Sequence, residues 1–244
     1  MTKPLVIAHR GYSAKFPENT IRAFKEAIAC KAPAIELDVH LSKDHELVVT
    51  HDFKFGRTVK STGCVSDFTT AELAKMDAGS FKGDDFKAER VSKLSEIVEI
   101  INHHCLLNVE IKEETLVSQS AYEMMVDKLL LLLKPYGLKD ILFSSFDPYA
   151  LKTLRAKSTE ARMAYLDDCA DQGPKIELAK GMNAEAYNLN LKRVTYEQVC
   201  KIKAAGLKVN AYTVKNATDL ELARGLQVDG IFADNLEEAL KFFE

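Results

Sequence analysis

Short extended runs alternate with longer helical ones from end to end of this chain, and that rhythm constrains the fold more than any other feature. The apolar pattern predicts strands over residues 5–8, 34–41, 106–112, 141–145, 162–166, 184–189, 209–214 and 230–233. Helices follow at 19–31, 94–103, 118–133, 148–156, 175–179, 196–205, 218–226 and 236–243. In the first of these, Ile21, Phe24, Ala27 and Ile28 form one apolar stripe, with Asn19 or Thr20 available as the cap. Eight strands, each followed by a helix with no Pro/Gly/Ser-rich linker between units, favour a closed TIM (β/α)8 barrel in one domain spanning residues 1–244. An open dinucleotide fold is disfavoured, because no G-x-G-x-x-G follows the first strand. Residues 46–50 read as a short extension of the second strand region. The 52–93 stretch then lacks a clean repeat and carries four glycines, so it is expected to be an insertion with a small helix near 70–76.

With 33 Lys+Arg against 36 Asp+Glu, the net charge of −3 gives no broad cationic footprint for nucleic acid. The N-terminal apolar run is too short for a signal-peptide core or a membrane span, which predicts a cytoplasmic protein without stable membrane association. Cys30, Cys64, Cys105, Cys169 and Cys200 are odd in number, widely spaced and without a C-x-x-C pair, as expected of reduced thiols.

The polar residues collect at the ends of the first strands, which in a barrel form the catalytic face. Glu36-Leu37-Asp38 places two acids at alternating positions of an apolar strand, so both side chains share one face. Glu110-Ile111-Lys112 repeats the device on the next strand. Three clustered carboxylates repel one another unless protonated or neutralised. A divalent cation is the economical solution. Hard oxygen ligands with no nearby Cys suit Mg²⁺ or Ca²⁺, with Mn²⁺ as a substitute. The competing reading is that Glu36 and Asp38 only form structural ion pairs with Arg10 and Lys112.

His9 and His51 end the first strand and the second strand region, and bracket the acids. An ordinary imidazole pKa of ~6.5 makes both natural proton carriers at neutral pH. His40, His45, His103 and His104 lack such company and are expected at the surface or in supporting roles. Arg10 and Lys112 supply fixed positive charge, arginine being suited to a two-pronged grip on phosphate. With a divalent cation, these charges leave the cluster slightly positive, which fits a monoanionic phosphodiester.

His9-Arg10-Gly11, Glu18-Asn19-Thr20, Glu36-Leu37-Asp38, His51-Asp52, Glu110-Ile111-Lys112, Ser145-Phe146, Ala211-Tyr212-Thr213-Val214 and Asp229-Gly230-Ile231-Phe232-Ala233-Asp234 follow one another in an order that resembles the glycerophosphodiester phosphodiesterase family. The resemblance covers essentially the whole chain. It implies a barrel with an insertion after the second strand, one carboxylate-bound divalent cation, and hydrolysis of glycerophosphodiesters to sn-glycerol 3-phosphate and an alcohol. Carried over residue by residue, the metal ligands fall on Glu36, Asp38 and Glu110, the catalytic histidines on His9 and His51, and the phosphate-holding cations on Arg10 and Lys112. Glu18 becomes a polar support beside the site, and Phe146 and Tyr212 an apolar wall for glycerol. The chain departs from the family pattern in having Tyr212 for a usual Trp, Lys215 for a frequent Asn, and no proline in Val91-Ser92-Lys93-Leu94.

Two other functions fit parts of this pattern. A phosphatidylinositol- or sphingomyelin-directed phospholipase of the related barrel type would use the same two-histidine logic on a membrane substrate, but the insertion is strongly polar. A catalytically silent barrel binding phosphorylated ligands would be expected to lack a histidine or a ligand, and every element is intact.

Overall fold

The computed structural model describes residues 3–168 and 173–244. Eight parallel strands form the barrel: β1 (Leu5–Ala8), β2 (Ala34–Leu41), β5 (Leu106–Ile111), β6 (Ile141–Ser145), β7 (Arg162–Asp167), β8 (Ala186–Asn190), β9 (Lys208–Val214) and β10 (Gly230–Ala233). Pairing of β1 with both β2 and β10 closes the ring. Helices α1 (Ile21–Ala29), α3 (Leu94–Ile101), α4 (Gln119–Leu133), α5 (Pro148–Lys157), α6 (Gly173–Gly181), α7 (Tyr196–Ala204), α8 (Ala217–Leu226) and α9 (Leu236–Phe242) follow the strands in turn.

Alternation along each strand sorts its residues between two cores. Val6, Ala8, Ile35, Leu37, Val39, Leu107, Val109 and Ile111 face outward into the large apolar layer beneath the helices, where Phe24 of α1 and Ile97 of α3 are wholly buried. Ile7, Ala34 and Phe232 point inward, as do Leu142, Ala164 and Ala186. Further up the interior the fill becomes polar: Asn108 Nδ2 donates to Ser144 Oγ at 2.7 Å, and Asn210 Nδ2 to Asn188 Oδ1 at 2.9 Å. Covering both faces explains why all eight residues of β2 are buried, acids included.

The short segment after β2 is not an extension of it. β3 (Leu47–Val49) turns back antiparallel on β2, Val39 facing Val49, and β4 (Ser92–Lys93) adds a further antiparallel strand beside it. The last two residues of the expected insertion are therefore sheet. Its helix, α2 (Thr70–Leu73), is shorter than expected, and Phe55, Val59, Val65, Leu73 and Val91 give the segment a small core of its own. Helix α1 starts at Ile21, with the Thr20 side chain accepting from the Ala23 N–H, so Thr20 is the cap. Asn19 takes the left-handed conformation (φ 58°) and lies outside the helix. Among the described residues no helix is long and apolar enough to cross a membrane. Cys30, Cys64, Cys105 and Cys200 are free thiols; Cys169 lies outside the described residues.

Candidate active site

Adjacent parallel strands bring the three acids together. In β2 and β5 the register sets Glu36 opposite Asn108 and Asp38 opposite Glu110, and all four residues occupy inward positions. One oxygen from each of Glu36, Asp38 and Glu110 falls within 4.8 Å of the other two. Their compensation is unequal. Asp38 Oδ2 lies 3.3 Å from Arg10 Nε and accepts from Asn19 Nδ2 at 2.8 Å, while Oδ1 lies 3.8 Å from Lys112 Nζ. Burial pushes the Asp38 carboxyl up, but Arg10 and Lys112 outweigh it and hold it at about 2. Among the described residues Glu36 accepts one hydrogen bond, from the Arg10 backbone N–H at 2.8 Å. Burial, with Asp38 and Glu110 nearby, raises its pKa well above the ordinary carboxylate range. Glu110 is raised by burial and by the Asp38 charge, although Lys112 Nζ donates to it at 2.9 Å.

Structural ion pairing thus accounts for Asp38 but leaves Glu36 exposed to its neighbours' charge. Among the described residues Asp38 Oδ1 is buried and accepts no hydrogen bond, with Lys112 Nζ 3.8 Å away. Three convergent hard oxygens, with an unsatisfied buried acceptor on one of the three residues, fit a divalent cation of the Mg²⁺ or Ca²⁺ type.

Both histidines are held the same way. His9 Nδ1 donates to Asp234 Oδ1 at 2.6 Å, and His51 Nδ1 donates to Asp52 Oδ1 at 2.7 Å. Each carboxylate fixes its ring's tautomer and leaves Nε2 for exchange in the cleft. Burial, reinforced by the Arg10 charge, lowers the His9 pKa against the pull of Asp234, so the neutral imidazole is favoured at neutral pH.

Asp234, which the sequence pattern leaves without a role, is placed by barrel closure. Barrel closure puts β10 beside β1 with Ala233 opposite Ala8, so the next residues, Asp234 and His9, meet. Of the two places expected for His40, surface or supporting, the structure shows the supporting one. Unlike the exposed His45, His103 and His104, it is wholly buried. Its place two residues beyond Asp38 on the inward face of β2 carries Nε2 to the His51 carbonyl, to which it donates at 3.1 Å.

Arg10 takes a left-handed backbone (φ 57°), a conformation uncommon for a residue with a side chain. Gly11 follows at φ 80°, where a Cβ would lie 2.7 Å from the Ala23 carbonyl carbon, so only glycine fits. This turn aims the Arg10 N–H at Glu36 and its guanidinium at Asp38 and Glu18, with Nη1 donating to Glu18 Oε1 at 2.7 Å. Burial raises the Glu18 carboxyl, but hydrogen bonds from Arg57 and the Arg10 charge bring it down to about 2. Lys112 is almost fully buried and stays charged, its pKa raised by Glu110 and Asp38 against the cost of burial.

A cleft of about 110 Å³ opens over these groups, lined by His9, Arg10, Glu36, His51, Glu110, Phe146 and Tyr212 among others. The two rings meet edge to face, centroids 5.9 Å apart. A small anionic group with a short aliphatic portion fits this division between charge and aromatic wall.

Residues 9–238 match the model of the glycerophosphoryl diester phosphodiesterase family. The chain belongs to that family. A glycerophosphodiester phosphodiesterase of Caldanaerobacter subterraneus subsp. tengcongensis is 37% identical over 239 residues, covering 96% of each chain. Another, from Bacillus altitudinis, is 32% identical over 249 residues, covering 100% of this chain and 99% of its own. Among solved structures, an Oleispira antarctica phosphodiesterase in complex with the product sn-glycerol-3-phosphate superposes with a TM-score of 0.90 at 30% identity, covering 98% of this chain and 96% of its own. Membership of the glycerophosphoryl diester phosphodiesterase family makes this chain a phosphoric diester hydrolase built on a TIM barrel.

Proposed function

We propose that the protein hydrolyses glycerophosphodiesters to sn-glycerol 3-phosphate and an alcohol, as one barrel domain, by general acid/base catalysis with His9 and His51. The observation that supports this most directly is the pair of carboxylate-held imidazoles lining the same cleft as Glu36 and Glu110, two members of the three-acid cluster. The Oleispira relative, whose solved structure holds sn-glycerol-3-phosphate, supports the product.

Glu36, Asp38 and Glu110 would hold a divalent cation, Mg²⁺ or Ca²⁺ with Mn²⁺ as a substitute, which supplies Lewis acidity toward a phosphoryl oxygen and a neighbouring hydroxyl. Arg10 and Lys112 neutralise the phosphate and stabilise charge that builds on it in the transition state. Phe146 and Tyr212 pack against the glycerol carbons, and Glu18 keeps the Arg10 guanidinium in place. His9 Nε2, neutral because its pKa is lowered, takes the proton from the attacking oxygen. His51 Nε2 gives a proton to the departing alkoxide. The glycerol 2-hydroxyl is the favoured first nucleophile, because a vicinal hydroxyl has a large proximity advantage. Its attack on phosphorus expels the alcohol and leaves a five-membered cyclic phosphate, which water then opens.

The test is turnover of glycerophosphocholine by His9→Ala and His51→Ala, beside a nitrophenyl diester whose leaving group needs no proton. Both variants are expected to bind metal and product yet lose on the order of 10²–10⁴-fold in turnover. The nitrophenyl diester should rescue His51→Ala alone. If neither variant lost activity on glycerophosphocholine, the proton-transfer assignment would fail.

A further inference from the structure

The two carboxylates behind His51 and Arg10 converge on one side chain in the segment after β3. Arg57 Nε donates to Asp52 Oδ2 at 2.7 Å and its Nη2 to Asp52 Oδ1 at 3.0 Å. The same guanidinium donates from Nη1 to Glu18 Oε2 at 2.9 Å and from Nη2 to Glu18 Oε1 at 2.8 Å. Every nitrogen of the fork is engaged, with Nη2 shared between the two acids. Asp52 in turn holds His51 Nδ1, and Glu18 holds Arg10 Nη1. A continuous chain of hydrogen bonds therefore runs from His51 through Asp52, Arg57 and Glu18 to Arg10, joining the loop after β3 to the loop after β1.

We propose that Arg57 is a positioning residue, which locks the Asp52 carboxylate against Glu18 and thereby fixes the His51 ring for proton transfer. The inference rests on the role given to His51 above. Stability alone is a poor account of the arrangement. The Arg57 side chain is 49% exposed, and exposed ion pairs contribute little to folding. Geometry is a better account. Asp52 follows His51 directly and sits in a loop, so its carboxylate needs an outside anchor to hold a ring at 2.7 Å. A planar fork supplies one with two parallel bonds, whereas an ammonium supplies a point charge. The further docking of this segment on the β1–α1 loop, by Lys82 Nζ donating to the Ser13 carbonyl at 2.7 Å and by the Phe16–Phe86 contact, keeps the two loops together when the fork is lost.

A double-mutant cycle tests this in the full-length, metal-loaded enzyme, with glycerophosphocholine as substrate. Arg57→Lys is expected to lower kcat on the order of 10²-fold through a misplaced ring while KM moves by roughly twofold or less. In the His51→Ala background the same substitution should cost almost nothing, because there is no ring left to place. Guanidinium ion in the buffer should restore turnover to Arg57→Ala but not to His51→Ala. If lysine unfolds the loop, Arg57→Gln is put through the same cycle. The inference is overturned if Arg57→Lys keeps wild-type kcat, or if it lowers the residual rate of His51→Ala by the same factor as it lowers the wild type. A fully active His51→Ala defeats the proton-transfer reading and this inference with it; an inactive His51→Ala beside an unimpaired Arg57→Lys defeats this inference alone.

Discussion

Glu36→Gln should make the metal-free protein more stable and the enzyme inactive. Each pair of acids in the cluster lies within 4.8 Å, so at an effective dielectric constant of ~20 one ionised pair costs about 3.5 kcal/mol or more. Burial adds to the cost of the Glu36 charge, and the amide removes both terms. Against this, the substitution weakens the bond from the Arg10 N–H and the attraction to its guanidinium, a loss of about 1–2 kcal/mol. The net gain is about 1–3 kcal/mol. Its pH dependence has a definite sign. The folded pKa of Glu36 is raised above its unfolded value of ~4.3, so ionisation penalises the native state increasingly as pH rises from there toward the folded pKa. Wild type without metal should therefore lose stability over that rise more steeply than Glu36→Gln. Urea unfolding in EDTA at mildly acidic and mildly alkaline pH measures this. With saturating Mg²⁺ or Mn²⁺ the order should invert, because wild type gains binding free energy that the variant has lost. A Glu36→Gln protein that is less stable than wild type in EDTA at alkaline pH would show that the acids are not in mutual repulsion and would remove the physical reason for a cation.

Asp234→Asn keeps the shape of the His9 partner but removes the charge that raises the imidazole pKa, so kcat should fall roughly 10²-fold or more, and the acidic limb of the kcat/KM profile should move to lower pH. Chelation, verified by elemental analysis, should abolish turnover, and full activity of the metal-free protein would refute the cation assignment. Phe146→Ala should raise KM for glycerophosphocholine and glycerophosphoethanolamine alike, costing ~1–3 kcal/mol for a lost apolar contact, as steady-state kinetics on both substrates would show. Thr20→Ala removes both the α1 cap and a buried bond to the Pro17 carbonyl, and should lower stability to urea by about 1–2 kcal/mol without changing kcat.

What the sequence revealed of this site depended on how local the determining geometry was. The acids of β2 were legible because a strand's period of two is a property of the backbone, and Glu36 and Asp38 needed only a strand to share a face. Strand and helix order was legible for the same reason. The sense of β3 was not, since Leu47–Val49 is equally apolar whether it extends the second strand or folds back on it. His40 stands at the next inward position after Asp38, but a histidine carries no mark of burial, so the sequence left its surface and supporting places undivided. Asp234 required a step further out, from counting strands to pairing the first with the last. Arg57 lay beyond any such rule. It sits in a segment without a repeat, 39 residues from Glu18, and only the folded loops bring the two together.

That gradient follows the division of labour within the barrel. Residues that would hold the cation are carried by strands, whose pairing fixes them rigidly, Glu36 and Asp38 on β2 and Glu110 on β5, and His9 directly follows β1. Residues that orient them come from loops, where Asn19 reaches Asp38, Glu18 reaches Arg10, and Arg57 reaches both Glu18 and Asp52. His51 is the exception among the histidines, because it stands in a loop just beyond the short antiparallel β3 rather than at the end of a barrel strand. It is gripped by side chains on two sides, by His40 at its carbonyl and by Asp52 at its ring. A catalytic group without a barrel strand beneath it needs those supports to reach the precision that His9 receives from strand pairing and Asp234. Loss of a support should therefore weaken His51 function more readily than an equivalent loss near His9, which makes the segment after β3 the place where mutations outside the cleft have the greatest leverage on turnover.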